Sequence, residues 1–295
     1  MKADLHIHSK YSGIGKIWKL KFLDSVEEPR NILKAAEKKG LSVIAITDHN
    51  TIKGGLKAKK YEKEFNVEVI VGSEILTKEG EIIGLFLNEE IPKGLSAEET
   101  VELIKEQGGL AIASHPYSPI CKSLGDKIFD LNLDGVEVFN AYHRDGLVNN
   151  LALKKVIENY HKNPVAFIGS SDAHISSMVG NGYTLFNGET AEDLYKAIKS
   201  KKTTFGGSPT PLKQIIMWSY KTVCYSERKL IKSLYKNNVN LLNYCLDSLK
   251  FYKKLIIILA GAIYLFSPLP VISGIVGNYY LKYMAKKKFK ALELS

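Results

Sequence analysis

The chain has 295 residues, 45% hydrophobic and 24% charged, with 41 Lys and Arg against 31 Asp and Glu for a net charge of +10. This composition builds a core and excludes a wholly disordered or low-complexity chain, at a length suited to one large or two modest domains. Three cysteines, Cys121, Cys224 and Cys245, stand at no paired spacing, which argues against both a disulfide scaffold and a cysteine–zinc site.

The chain opens Met1-Lys2-Ala3 with no apolar h-region, so no cleaved secretory signal is expected and the chemistry is placed in the cytosol. Ala3 to Ile7 reads as a first short strand running into His6-Ile7-His8, and alternate strand residues share a face, so both imidazoles can reach one ion. Ser12-Gly13-Ile14-Gly15-Lys16 lacks the spacing of a Walker loop and is read as a mobile loop beside the site, with Lys16 a phosphate contact. A helix over Asn31 to Lys39 precedes the strand Leu41 to Thr47, which ends Thr47-Asp48-His49-Asn50. The strand Val67 to Ile75 carries Gly72-Ser73-Glu74, and a further strand covers Ile82 to Leu87. A helix over Ala97 to Gln107 leads to the strand Leu110 to Ala113 and then Ser114-His115-Pro116. The strand Gly135 to Phe139 is followed by Asn140, His143 and Arg144, which are expected to face the same mouth. A helix over Leu147 to His161, the strand Val165 to Gly169 ending Ser170-Ser171-Asp172-Ala173-His174, and a helix over Ala191 to Lys199 complete this part.

Short, fully apolar strands alternating with helices predict an α/β domain with buried parallel strands. Polar residues at the C-terminal ends of nearly all seven strands favour a closed or partly closed barrel over an open sheet. Five strand ends carry His or a carboxylate. Buried groups of this kind need compensation, and their clustering at one mouth is best explained by divalent cations. A mixed imidazole and carboxylate set suits Zn, Mn or Fe(II), with Glu74 placed to bridge two ions.

Residues 1–200 hold 25 basic and 28 acidic side chains, whereas 201–295 hold 16 and 3, so the positive charge belongs to the tail. Gly206-Gly207-Ser208-Pro209-Thr210-Pro211 interrupts regular structure and sets a boundary between a catalytic part, 1–210, and a basic helical tail, 211–295. Within the tail, 255–281 lacks any Asp, Glu, Lys or Arg, and Ser267-Pro268-Leu269-Pro270 divides it into two helices too short to span a bilayer. Lys250, Lys253 and Lys254 on one side and Lys282, Lys286, Lys287, Lys288 and Lys290 on the other favour a re-entrant hairpin in the cytoplasmic face of a membrane, with lipid as partner. The alternative is a buried helical hairpin that caps the barrel or forms a dimer interface.

The motifs DLHIHS, TDHN, GSEI, SHP and SDAH, in this order over about residues 1–210, resemble the PHP (polymerase and histidinol phosphatase) family of metal-dependent phosphoesterases. The resemblance implies a distorted (β/α)7 barrel and a cluster of two or three metals that hydrolyses phosphate esters. By that resemblance His6, His8, Glu74, His115 and Asp172 are ligands of the first two metals, with His49 and His174 nearer the third. Gly13 offers no ligand where many members have one, and Glu81 stands where many have His. Two firmly held ions are therefore expected, with a third held weakly or not at all.

The expected activity is hydrolysis of a phosphomonoester or short nucleotide phosphodiester, with proton delivery by water, His143 or His174 and phosphate binding by Arg144. Small phosphorylated molecules or short oligonucleotides are the expected substrates. The slightly acidic catalytic part offers no groove for long nucleic acid. Two rivals are a urease-type amidohydrolase, which the Glu after strand three fits poorly, and a membrane-tethered metal-binding regulatory module without turnover.

Overall fold

The computed structural model describes residues 1–17, 20–241 and 244–293. The first strand, β1 (Lys2–Ile7), is followed by a hairpin of β2 (Ile14–Ile17) and β3 (Leu20–Leu23). Then come α1 (Pro29–Lys38), β4 (Val43–Ile46), α2 (Lys53–Lys59), β5 (Glu68–Leu76) and β6 (Glu81–Leu85). The second half of the barrel comprises α3 (Ala97–Glu106), β7 (Leu110–Ala113), β8 (Gly135–Asn140), α4 (Leu147–Asn159) and β9 (Ala166–Ser170). Finally β10 (Gly182–Leu185), α5 (Ala191–Lys199) and β11 (Thr204–Gly207) precede the long helices α6 (Leu212–Lys232), α7 (Phe251–Leu265) and α8 (Leu269–Glu293).

The strands form one nine-stranded sheet in the order β11-β10-β1-β4-β5-β6-β7-β8-β9. All seven expected strands are present, and helices on the outside bury their apolar faces, as with Ile32, Leu33 and Ala36 of α1. Local signals agree with this arrangement: Ser96 with Glu99, and Thr190 with Asp193, form reciprocal caps that start α3 and α5.

The barrel is distorted in two ways that the strand reading did not contain. β6 runs antiparallel to both neighbours, because only a short turn separates it from β5 and a parallel crossover needs a dozen residues or more. β10 and β11 add an antiparallel edge beside β1, and this edge brings the ends of the sheet together. Gly169 N donates to Thr184 Oγ1 at 3.1 Å, Thr184 Oγ1 donates to Gly169 O at 2.8 Å, and Thr203 Oγ1 donates to Phe167 O at 2.8 Å. A Cβ at position 182 would run into the carbonyl of Ser170, so Gly182 is what lets β10 come this close to β9.

The segment 12–16, read as a mobile loop, enters the β2–β3 hairpin, and the side chain of Lys16 lies outside the described residues. Regular structure does break between β11 and α6, yet α6 packs directly on the barrel. Lys221 pairs with Glu27 at 3.0 Å and Gln214 Nε2 donates to Ser177 O at 2.9 Å. α7 and α8 bend by 76° at the break between them, and among the described residues no single helix is long and apolar enough to cross a membrane. α8 continues well past the apolar stretch. Its later turns are docked, with Leu281 and Ala285 buried and Lys288 Nζ donating to Ser118 O and Ser123 Oγ, each at 2.8 Å.

Candidate metal centre

The barrel brings His6, His8, His49, Glu74, Glu81, His115, Asp172 and His174 to one mouth, over a cavity of about 1440 Å³. His6 and His8 project from the end of β1 on one face, their Nε2 atoms 3.0 Å apart. Glu74 Oε2 lies 3.3 Å from His6 Nε2 and 3.6 Å from His8 Nε2, and Asp172 Oδ1 lies 3.7 and 3.3 Å from the same atoms. A tetrahedral ion with bonds of about 2.0–2.2 Å separates its ligands by about 3.3–3.6 Å. The two imidazoles and the two carboxylates stand 3.0–3.7 Å apart, close to that spacing.

Glu74 turns its other oxygen elsewhere. Its Oε1 is 2.9 Å from His115 Nε2, and Glu81 Oε2 lies 3.8 Å from that nitrogen. His49 Nδ1 is 3.0 Å from Glu74 Oε2 and 4.0 Å from Glu81 Oε1, so Glu74 stands between two donor sets.

A third set centres on a residue that sequence reading missed. Asp24, just after β3, lies 3.3 Å from His174 Nε2, 3.7 Å from His49 Nε2 and 3.5 Å from His8 Nδ1. Gly13 has no side chain to offer, but Asp24 N donates to its carbonyl oxygen at 3.1 Å, so the hairpin sets the Asp24 carboxylate beside these imidazoles. Nothing local distinguishes it from other loop acids; only the hairpin's fold-back brings it in.

Glu137 was also missed, and here a signal existed: a lone charge inside the apolar strand Gly135–Asn140 must be paired. Its Oε1 meets His6 Nδ1 at 2.9 Å and also takes the Ser170 hydroxyl, while Oε2 accepts from His115 N at 2.7 Å and Asn140 Nδ2 at 3.2 Å. A carboxylate behind an imidazole in this way sets the tautomer and leaves Nε2 free to bind metal.

His143 is fully buried and does not line the cavity, and both of its ring nitrogens lack a hydrogen-bond partner. Burial, then the facing His115, hold it down to about 3, so the ring is neutral near pH 7. Arg144 does not face the mouth as expected. Its Nε donates to Asn278 Oδ1 of α8 at 3.4 Å and its Nη1 to Tyr142 O at 3.5 Å, and Arg144 is not among the residues that line the cavity. The tail helix supplies an acceptor that reading residues 1–210 alone could not anticipate.

The electrostatics are those of a site built for cations. Burial works against the charge on Asp24 and Asp172, yet the neighbouring imidazoles pull both carboxyls well below the usual range. Burial likewise opposes protonation of His115, but Glu74 carries it up to about 9. Burial and then the charge of Glu74 push Glu81 up to about 7. Burial and the carboxylates of Glu81 and Asp172 hold the Cys121 thiol well above its ordinary value. Asp24 Oδ2 and Glu74 Oε1 are buried without an aligned hydrogen bond, as expected of donors that face an ion and not one another. His115 and Asp172 also have positive φ, 26° and 51°, a conformation that costs non-glycine residues about 1–3 kcal/mol and collects at functional sites.

Comparison with known proteins gives the family. A family profile described as PHP-associated matches residues 150–203. The chain belongs to the PHP family of metal-dependent phosphoesterases. An uncharacterised protein of Methanocaldococcus jannaschii is 81% identical over 158 residues, 54% of this chain and 92% of that one. A 5'-3' exoribonuclease of Haemophilus influenzae is 32% identical over 115 residues, 38% of each chain. Among solved structures, PsfC from Pseudomonas syringae shares the fold with a TM-score of 0.56 at 15% identity, over 76% of this chain and 98% of that one.

Proposed function

We propose that the chain hydrolyses phosphate esters, a phosphomonoester or a short nucleotide phosphodiester, using divalent ions at this mouth. The observation that carries the reading is the close approach of Glu74 and Asp172 to both His6 and His8, at 3.3–3.7 Å, with Glu74 shared with a second set. His6, His8, Glu74 and Asp172 would hold one ion. Glu74, His115 and the unpartnered His143 would hold the next, with His49 and Glu81 beside it. Asp24, His49 and His174 offer a third position. When bound, such ions supply a nucleophile from water near neutral pH and positive charge opposite the phosphoryl oxygens.

The chain's own residues do the rest. Glu137 keeps the proton of His6 on Nδ1. Lys10, Lys53, Lys93 and Lys122 line the cavity and favour an anionic substrate, and Tyr11, Tyr142 and Tyr225 add flat surfaces suited to a base. His174 faces the cavity beside Asp24, so it protonates the leaving group only when no third ion takes its Nε2. The exoribonuclease relative supports the phosphodiester arm. Turnover by the metal-loaded chain on a panel of phosphomonoesters, dinucleotides and cyclic nucleotides tests the reading, and a panel without any turnover under Mn, Zn or Fe(II) would refute it.

We further propose that α7 and the first turns of α8 rest in the cytoplasmic face of a membrane. Phe266, at the bend, is 91% exposed, with Ile256 and Leu259 above 60%, and no Asp or Glu occurs from 251 to 292. An exposed apolar face bordered by lysines is the pattern of an interfacial helix. Of those lysines, Lys254 and Lys288 are engaged internally, with Ser233 O and with Ser118 and Ser123.

A further inference from the structure

The loop after β7 carries a side chain that the donor sets above leave out. Cys121 lies on the cavity wall, half-buried. Its sulfur and one ring nitrogen each of His115 and His143 all lie within 4.8 Å of one another.

Independent observations aim the two imidazoles at a ligand. Both nitrogens of the fully buried His143 have no hydrogen-bond partner, although buried polar nitrogens are nearly always paired. His115 Nε2 sits 2.9 Å from Glu74 Oε1, yet that oxygen takes no aligned hydrogen bond. A close pair without an aligned hydrogen bond is the arrangement that two ligands of one ion adopt. The sulfur is held near it by its loop: Cys121 N donates to Ser118 Oγ at 3.0 Å, and Lys288 of α8 ties down Ser118 and Ser123.

We infer that Cys121 is a thiolate ligand of the ion held by Glu74, His115 and His143, which makes that position selective for a thiophilic divalent metal, zinc above manganese. The inference rests on the metal reading given under Proposed function. On binding, the S–H bond breaks, its proton passes to solvent, and a sulfur lone pair forms the bond to the ion; no electron is transferred. Soft thiolate ligands favour zinc over the hard ions that oxygen donors suit, and a coordinated thiol is deprotonated outright. Paired cysteine spacing is not needed, because His115 stands in the same loop and the fold brings His143 from the end of β8.

Cobalt(II) titration of the full metal-free chain tests this. The parent is expected to show visible d–d absorption together with a near-ultraviolet thiolate-to-cobalt band. Cys121→Ser should lose the near-ultraviolet band, keep the visible absorption and bind zinc about ten-fold or more weakly, while Cys224→Ser keeps both bands. In the unmodified chain, zinc should slow alkylation of Cys121 at least about ten-fold. A near-ultraviolet band that survives Cys121→Ser, or visible absorption without that band in the parent, would overturn the thiolate assignment and leave the metal reading standing. Absence of all cobalt absorption would overturn both. Alkylation at one rate with and without zinc would also refute the assignment.

Discussion

The indole Nε1 of Trp218 donates a 2.8 Å hydrogen bond to the carbonyl oxygen of Asp24, and its ring lies 4.7 Å from that of His174. Trp218 belongs to α6, beyond the chain break that the prolines suggested, and with Tyr225 it forms part of the cavity wall. The wall of the mouth is therefore completed from the C-terminal part of the chain.

Trp218→Ala is expected to cost about 3–5 kcal/mol of stability, as for other buried aromatics, and to lower kcat/KM by unseating Asp24 and His174. Trp218→Phe keeps a ring and drops the hydrogen bond, at about 1 kcal/mol. Urea unfolding with steady-state kinetics measures both. A chain ended after Thr210 should be less active than the full chain at equal metal, and equal activity would show that α6 is dispensable.

Glu74→Gln and Asp172→Ala are each expected to lower metal-dependent turnover by at least about 100-fold with far-ultraviolet circular dichroism unchanged. Glu74→Gln should also reduce bound metal by more than one ion per chain, because its two oxygens face different donor sets. Metal analysis after gel filtration checks this.

The metal-free protein should lose stability as pH rises from about 6.5 to about 9. His115 is held up to about 9 from its ordinary 6.5, and His6 and His49 are also raised, so the folded state keeps protons that the unfolded chain releases. Glu81, pushed up to about 7, acts the same way at the lower end. His143, held down to about 3, opposes this only below pH 6.5. Saturating zinc should flatten the slope, since coordinated imidazoles carry no proton on the bound nitrogen. Urea midpoints across this range measure it, and a metal-free midpoint that climbs would contradict the assigned ion pairs.

The full chain should float with anionic lipid vesicles, and Ile256→Glu with Leu259→Glu should abolish flotation without changing turnover of a soluble substrate. A chain that stays with the soluble fraction and elutes as a dimer would point instead to a second copy on that face.

Much of the site was legible because strand-end chemistry is local: His6 with His8, His49, Glu74, His115, Asp172 and His174 each follow a short apolar run, and the barrel gathers such ends. What was not legible depends on contacts distant in sequence. Asp24 arrives through a hairpin, Trp218 through a helix nearly 200 residues later, and Arg144 is drawn aside by Asn278. Glu137 could have been found, since an ionised group in a buried strand must have partners. The antiparallel β6 follows from a turn too short for a crossover, whereas β10 and β11 are four-residue strands whose pairing shows only once the sheet curls.

The most direct measurement is hydrolysis of bis(4-nitrophenyl) phosphate and 4-nitrophenyl phosphate by the chelator-stripped full chain, with zinc, manganese or iron(II) added back in turn. The account predicts no release of nitrophenol without metal, restored release with at least one of these ions, and none in Asp172→Ala. Release that is indifferent to chelator, or that persists in Asp172→Ala, would contradict it.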